Sequence, residues 1–460
     1  MISIRNGAAG LLALVAVLAG CAVQRPEPAE VATSAWVQAS DEGAWVVRAI
    51  GVGAACPTLH SKRGDTAMSR RAAPVELPPR TEHAQPQTQP SRFADAACEA
   101  AWPAGASRVH VGDHVLTAPA AAIRRIVLIG DTGCRMKASE HSYQDCRDAA
   151  RWPLAQVAAS AAAWHPDLVV HVGDYEYRES PCPAGNAGCA GSPWGYGEDA
   201  WRADFFDPAA PLLAVAPWIF VRGNHESCSR AGAGWFRYLD AHPWRAASSC
   251  ADPALDEAAD FSAPYAVPID AQLQLIVFDS SRAGGKAYRG DEFAARRYAE
   301  DLAAVDALVQ RRPQNWFVNH HPVLAYAGSE DGRPLTGGKG LRSVMVRSHP
   351  QRYYADGIDL VLNGHVHLFE AIDFSSPHPA ELVLGNSGSL SEGGVEAAAA
   401  LASQPAPGAT VRTFVTRNQF GYATLEREGA GWLLTERDPR GMALRRCRLL
   451  GSRLECAGLR

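Results

Sequence analysis

The chain has 460 residues, 47% hydrophobic and 20% charged, a globular composition that excludes a disordered, collagen-like or multiply membrane-spanning protein. A formal net charge of -5 gives no polybasic footprint, so nucleic acid is excluded as a bulk electrostatic partner and any phosphate must be gripped locally. The length predicts one large domain with small appendages.

Arg5 precedes an apolar run from Ala8 to Ala19, too short to span a bilayer and suited to the h-region of an export signal. Leu18-Ala19-Gly20-Cys21 follows and resembles the lipobox of bacterial lipoproteins. That resemblance implies loss of residues 1–20 as a signal peptide and acylation of Cys21. The expected location is the cell envelope, anchored to a membrane and facing an oxidising compartment, either periplasm or cell surface. Ala22, rather than Asp, follows the cysteine, which by the same resemblance implies no retention in the inner membrane. Residues 21–35, with Pro26 and Pro28, read as a tether. Apolar runs at Ala44–Val52 and Val109–Leu116 flank a Pro-rich stretch, Pro74–Pro90, and predict a small β-rich module over residues 36–119 with a long loop.

Setting Cys21 aside leaves an even number of cysteines in a chain expected to meet oxidising conditions. Proximity along the chain pairs Cys134 with Cys146, Cys182 with Cys189, Cys228 with Cys250, Cys447 with Cys456, and Cys56 with Cys98. Zinc ligation is the weaker alternative, because no paired C-x-x-C occurs. The Cys56 bridge closes the longest loop and is expected to stabilise most, about 3 to 4 kcal/mol on the chain-entropy account.

From residue 120 to the end the pattern changes to short apolar strands alternating with helical stretches, which predicts a second, larger domain. Arg125–Gly130 is an apolar run ending in Gly-Asp, Trp152–Trp164 reads as a helix opened by Pro153, and Asp167–Val172 repeats the strand and its Gly-Asp ending. Further strands are expected at Trp218–Val221, Leu273–Phe278, Trp316–Val318, Ile358–Leu362 and Glu381–Leu384, with a helix over Glu292–Gln310. Runs at Gly421–Glu426, Gly431–Thr435 and Ala443–Leu449 supply closing strands. Short strands alternating with helices predict an α/β layered fold, whose ligand site gathers at the carboxyl ends of the strands.

Five polar blocks close those strands: Gly130-Asp131-Thr132-Gly133, Gly173-Asp174-Tyr175-Glu176-Tyr177, Gly223-Asn224-His225-Glu226, Asn319-His320-His321-Pro322 and Gly364-His365-Val366-His367. Any one of them reads equally as a helix cap, a turn or a satisfied core histidine. Together, carboxylate, amide, phenol and imidazole make a mixed hard and borderline donor set suited to two adjacent metal ions. Residues two apart in the extended Gly-His-x-His face the same way and can reach neighbouring ions.

These blocks resemble the calcineurin-like metallophosphoesterases and, within them, the purple acid phosphatases, over roughly Arg124 to Gly388. The resemblance implies a metallophosphoesterase-type β-sandwich flanked by helices. It departs from the general family in two places: Gly133 stands where an Asp-x-His motif has histidine, and Tyr177 stands where the purple enzymes have a phenolate. By this resemblance Asp131, Tyr177 and His367 hold Fe(III), Asp174 bridges, and Asn224, His320 and His365 hold a divalent Zn, Mn or Fe. The fourth block reads two ways, Val-x-x-His selecting His321 and His-x-Pro selecting His320; His320 is favoured, with His321 beside the substrate. Tyr175 is the rival phenol and is read as packing. His225, beside Asn224, resembles the family's histidine that contacts phosphate and protonates the leaving group. Glu226, Tyr326, Glu330 and Asp331 read as solvated loop residues rather than pocket wall.

The activity so implied is hydrolysis of small phosphomonoesters by a metal-bound hydroxide, with an acid optimum. A phosphodiesterase or nucleotide pyrophosphatase on the same metal core, and a non-catalytic anchored binding lipoprotein, are the alternatives. Oligomeric state is not legible in the sequence.

Overall fold

The computed structural model describes residues 31–80, 88–391 and 393–458; the export signal, the lipobox and Cys21 lie outside them. Two large sheets face each other. The first has eleven strands, and at its centre Arg125–Ile129, Leu168–His171 and Trp218–Phe220 run parallel. The second has seven, with Leu273–Val277, Gln314–Val318, Ile358–Asn363 and Ala380–Leu384 parallel at its heart.

The period-2 alternation of the strands decides which side chains go where. Ile126 and Leu128 point to the layer between the sheets, where Leu168, Val170, Leu275, Val318, Leu360 and Leu382 also lie buried. Val127 and Ile129 point the other way, against Val157 and Ala161 of the helix Leu154–Ala163. The second sheet is covered on its outer face by Phe293–Val309 and Lys339–Ser348, through Leu302, Val305, Leu341 and Val344. Strands buried on both faces read as unbroken apolar runs, which is why these were legible. Glu292 and Gln310, the expected ends of the long helix, are its caps.

The N-terminal region is β-rich. Part of it continues the first sheet: Gln38 of the strand Ser34–Ala39 pairs parallel with Trp218, and Trp45–Ile50, Ala97–Ala101 and Ser69–Ala72 follow outward. The rest forms a separate four-stranded sheet. The run Val109–Leu116 divides into Arg108–Val111 and His114–Thr117, because Gly112 takes a φ of 55° and turns the chain.

All five proximity pairs of cysteines form disulfides. Five such bridges fit an oxidising, extracytoplasmic compartment. Among the described residues no helix is long and apolar enough to cross a membrane.

Two expectations are corrected. Tyr326 is not a solvated loop residue: it is 1% exposed and packs edge-on against Phe414. Glu226 is fully buried and serves the site from beneath, as described next. Glu330 and Asp331 are exposed, as read.

Candidate metal centre

The five blocks converge. Each follows a strand end, and backbone hydrogen bonds lace the tips together: Asp131 N–H donates to Gly173 O at 3.0 Å, Thr132 N–H to Asp174 O at 3.0 Å, and Gly364 N–H to His320 O at 3.0 Å. Three of the seven expected ligands sit in left-handed backbone, Asp131 at φ 53°, Asp174 at 60° and His365 at 70°. Such conformations cost on the order of 1–3 kcal/mol each and persist where the surroundings over-determine them. Here the surroundings are the neighbouring tips.

On one side the Tyr177 hydroxyl lies 3.0 Å from Asp131 Oδ1, 2.9 Å from Asp174 Oδ2 and 3.0 Å from His367 Nε2. On the other, Asn224 Oδ1 lies 3.1 Å from His320 Nε2 and 2.9 Å from His365 Nδ1, and His320 Nε2 is 3.1 Å from Asp174 Oδ2. Asp174 therefore stands between two groups of donors, as a bridging carboxylate must. Asp174, His320 and His365 alone bring ligand atoms within 4.8 Å of one another.

The donor set fits a pair of cations. Tyr177 has a single O–H yet faces two carboxylate oxygens and an imidazole nitrogen, so one proton leaves acceptors opposed in a buried space. A cation satisfies lone pairs that converge in this way. The imidazoles are also oriented for it: His367 Nδ1 is 2.7 Å from Leu390 O and His320 Nδ1 is 2.8 Å from Val172 O, which turns each Nε2 to the centre.

Crowding shifts the protonation equilibria in opposite directions. Burial disfavours the charged His320, but Asp174 and Asp131 prevail and push it up to about 9. Burial and the His320 charge push His365 down to about 3. Burial, Asp131 and Asp174 raise the Tyr177 phenol well above its ordinary value.

Gly133 accounts for the departure from Asp-x-His. A Cβ there would lie 2.5 Å from Tyr175 O, 2.7 Å from Asp204 Oδ2 and 2.9 Å from Tyr177 Cδ2. The Tyr177 ring occupies the room that a side chain at 133 would need. Gly223 is similarly obligatory, since its Cβ would fall 2.0 Å from Asp174 Oδ1.

His320, not His321, stands among the donors. His321 lies beside them, its ring 4.2 Å from that of His365 and its Nδ1 3.4 Å from Ser280 Oγ. Tyr175 points away from the cluster, stacked on His171 at 3.9 Å, its hydroxyl donating to Val221 O at 2.9 Å. His225 packs its ring 3.8 Å from Tyr177, with Nδ1 3.0 Å from Glu176 O and Nε2 3.9 Å from Asp174 Oδ2. It stands at the cluster without joining either donor group.

Two supporting residues escaped sequence reading. The Glu226 carboxylate accepts the N–H groups of Asp174, Tyr175, Glu176 and Gly223 at 2.9–3.3 Å, knotting two blocks together. Its place three residues after Gly223, at the position of a capping-box acid, was the available signal. Asp204 accepts from Tyr177 N at 2.7 Å and Cys134 N at 3.0 Å, and pairs with Arg178. It sits in a π-helical turn, Arg202–Phe206, and nothing in the local sequence marks it.

Residues 124–369, more than half of the chain, match the calcineurin-like phosphoesterase family. Among solved structures, the fold is similar to that of the purple acid phosphatase PPD1 from yellow lupin (Lupinus luteus) seeds: identity is 15%, coverage 89% of this chain and 72% of that one, and the TM-score 0.50. It is also similar to PhoD, at 13% identity, with 95% and 94% covered and a TM-score of 0.55. No curated protein sequence matches the chain.

Proposed function

This chain belongs to the calcineurin-like phosphoesterase family, and from that premise we propose that it is a purple acid phosphatase-like hydrolase of small phosphomonoesters. Asp131, Tyr177 and His367 would hold Fe(III), Asp174 would bridge, and Asn224, His320 and His365 would hold Zn, Mn or Fe(II). The observation that carries this reading is the Tyr177 hydroxyl within 3.0 Å of Asp131, Asp174 and His367, in the room that Gly133 leaves open. A phenolate is a hard anionic donor and favours a trivalent ion. The trivalent and divalent cations, when bound, would together offset phosphate charge and lower the pKa of water.

The remaining work falls to the chain's own groups. Hydrolysis forms a bond from water oxygen to phosphorus as the ester P–O bond breaks, and the departing oxygen takes the electron pair and needs a proton. His225 Nε2 faces the centre and is placed to supply it. Burial holds the resting imidazole down to about 3, against the pull of Asp174. A phosphate dianion brought alongside adds negative charge and favours the imidazolium. His321 lines the opposite side as a phosphate contact.

Release of p-nitrophenol from p-nitrophenyl phosphate at acid pH, much faster than from the bis ester, is the expected result. Faster turnover of the bis ester would favour the phosphodiesterase reading instead, and no turnover of either would leave a binding lipoprotein.

From the lipobox-like Leu18-Ala19-Gly20-Cys21 we propose further that the mature protein is a lipoprotein of the cell envelope, acylated at Cys21, that takes a small phosphate ester and no nucleic acid. Mass spectrometry of the mature amino-terminal peptide should show acylated Cys21; an unmodified peptide beginning elsewhere would contradict the anchor.

A further inference from the structure

Directly after the Asp131 block, the Cys134–Cys146 disulfide closes a hairpin whose strands Met136–Lys137 and Ser142–Tyr143 pair antiparallel. This hairpin carries two cations to the rim of the centre. The Arg135 guanidinium carbon lies 5.2 Å from the Tyr177 ring centroid, and Arg135 Nε reaches Ser389 Oγ at 3.5 Å. Ser389 N–H in turn donates to Asp131 O at 2.8 Å, so one loop braces both the arginine and an expected ligand. Lys137 is tied to Arg135 through a single carboxylate: Glu140 takes Arg135 Nη1 at 2.6 Å on one oxygen and Lys137 Nζ at 2.7 Å on the other.

A third cation stands behind His225, on the Nδ1 side of the ring that faces away from the centre. Arg230 is buried, lies against His225 Nδ1, donates to Asn224 O at 3.3 Å and pairs with Glu179. Because the Tyr177 and His225 rings are in contact, Arg135 and Arg230 stand next to the two members of one aromatic pair, with Lys137 held to Arg135. His225 is the group placed to face the departing oxygen. A group attached to that oxygen therefore lies on the side of the Tyr177–His225 pair where the hairpin cations stand.

The hairpin cations are held partly out of water, Arg135 at 17% and Lys137 at 21% side-chain exposure, and burial lowers the Lys137 ammonium. Taking an ammonium from water is unfavourable unless an anion meets it. Glu140 does so in this structure, but it is the most exposed of the three, at 41%. It offers two carboxylate oxygens to an Arg and a Lys, the same donors that take the oxygens of a phosphate.

We infer that the stapled hairpin, through Arg135 and Lys137, binds a second anionic group on the leaving-group side, and that the preferred substrates are phosphomonoesters whose leaving group itself carries a phosphate, such as sugar bisphosphates. This rests on the phosphatase reading above. Glu140 holds the cations in register until the second phosphate takes its place.

The test compares glucose 1,6-bisphosphate with glucose 6-phosphate on the full chain, following released phosphate. The expected kcat/KM is about tenfold higher for the bisphosphate, as befits one hydrogen-bonded charge contact. Lys137→Gln should remove most of that ratio through KM, whereas Glu140→Gln should raise it, and the preference should shrink with added salt. A merely structural hairpin would not give opposite changes in the two variants. Equal kcat/KM for the two sugars, or a ratio that neither variant moves, overturns the inference while leaving the phosphatase reading intact. No phosphate release from either sugar or from p-nitrophenyl phosphate overturns both.

Discussion

Asp174→Asn is expected to lower phosphomonoester turnover by about 10³-fold or more, the several kcal/mol that a metal pair supplies to a charged transition state. The loss follows from position. Asp174 Oδ2 is shared between Tyr177 on one side and His320 on the other, so a neutral amide there weakens both halves of the cluster at once. Metal content, read by mass spectrometry of the purified variant, should fall with the rate. The fold should survive, because the Asp174 backbone is held by Glu226 and Thr132 whatever its side chain. An Asp174→Asn protein that keeps both its metal and its rate would remove the bridging role.

His225→Ala should behave differently, losing about 10² to 10⁴ in turnover, as removal of a proton donor does, with its metals retained. The imidazole touches Tyr177 and the Glu176 carbonyl but stands outside both donor groups, which already meet one another without it. The loss should depend on the leaving group. p-Nitrophenolate departs readily without a proton, so an alkyl phosphate should suffer more than p-nitrophenyl phosphate. An equal loss on both substrates, or a loss of metal, would argue that His225 holds the site together instead of protonating the ester oxygen.

Most of the site was legible because it lies where fully buried strands stop. Runs such as Arg125–Ile129 and Leu168–His171 are apolar on both faces, and their abrupt endings in Gly-Asp stand out. What was not legible depends on partners distant in the chain. Asp204 matters only because the Arg202–Phe206 turn comes back beneath Tyr177, and Glu226 only because its carboxylate meets N–H groups some fifty residues earlier. That His320 rather than His321 turns its ring to Asn224 and Asp174 is a matter of strand-tip geometry that two adjacent identical residues do not reveal. The N-terminal strands gave too short a pattern to show that they extend the first sheet, since a single pairing, Gln38 with Trp218, makes the join.

Metal quantification with a visible spectrum on the purified protein bears most directly on the two-cation cage. Two ions per chain, one of them iron, with a purple absorbance that Tyr177→Phe bleaches, is the predicted result. Colourless protein under oxidising conditions that holds only zinc or manganese would contradict the Fe(III)–phenolate site, and protein that binds no metal at all would contradict the cage itself.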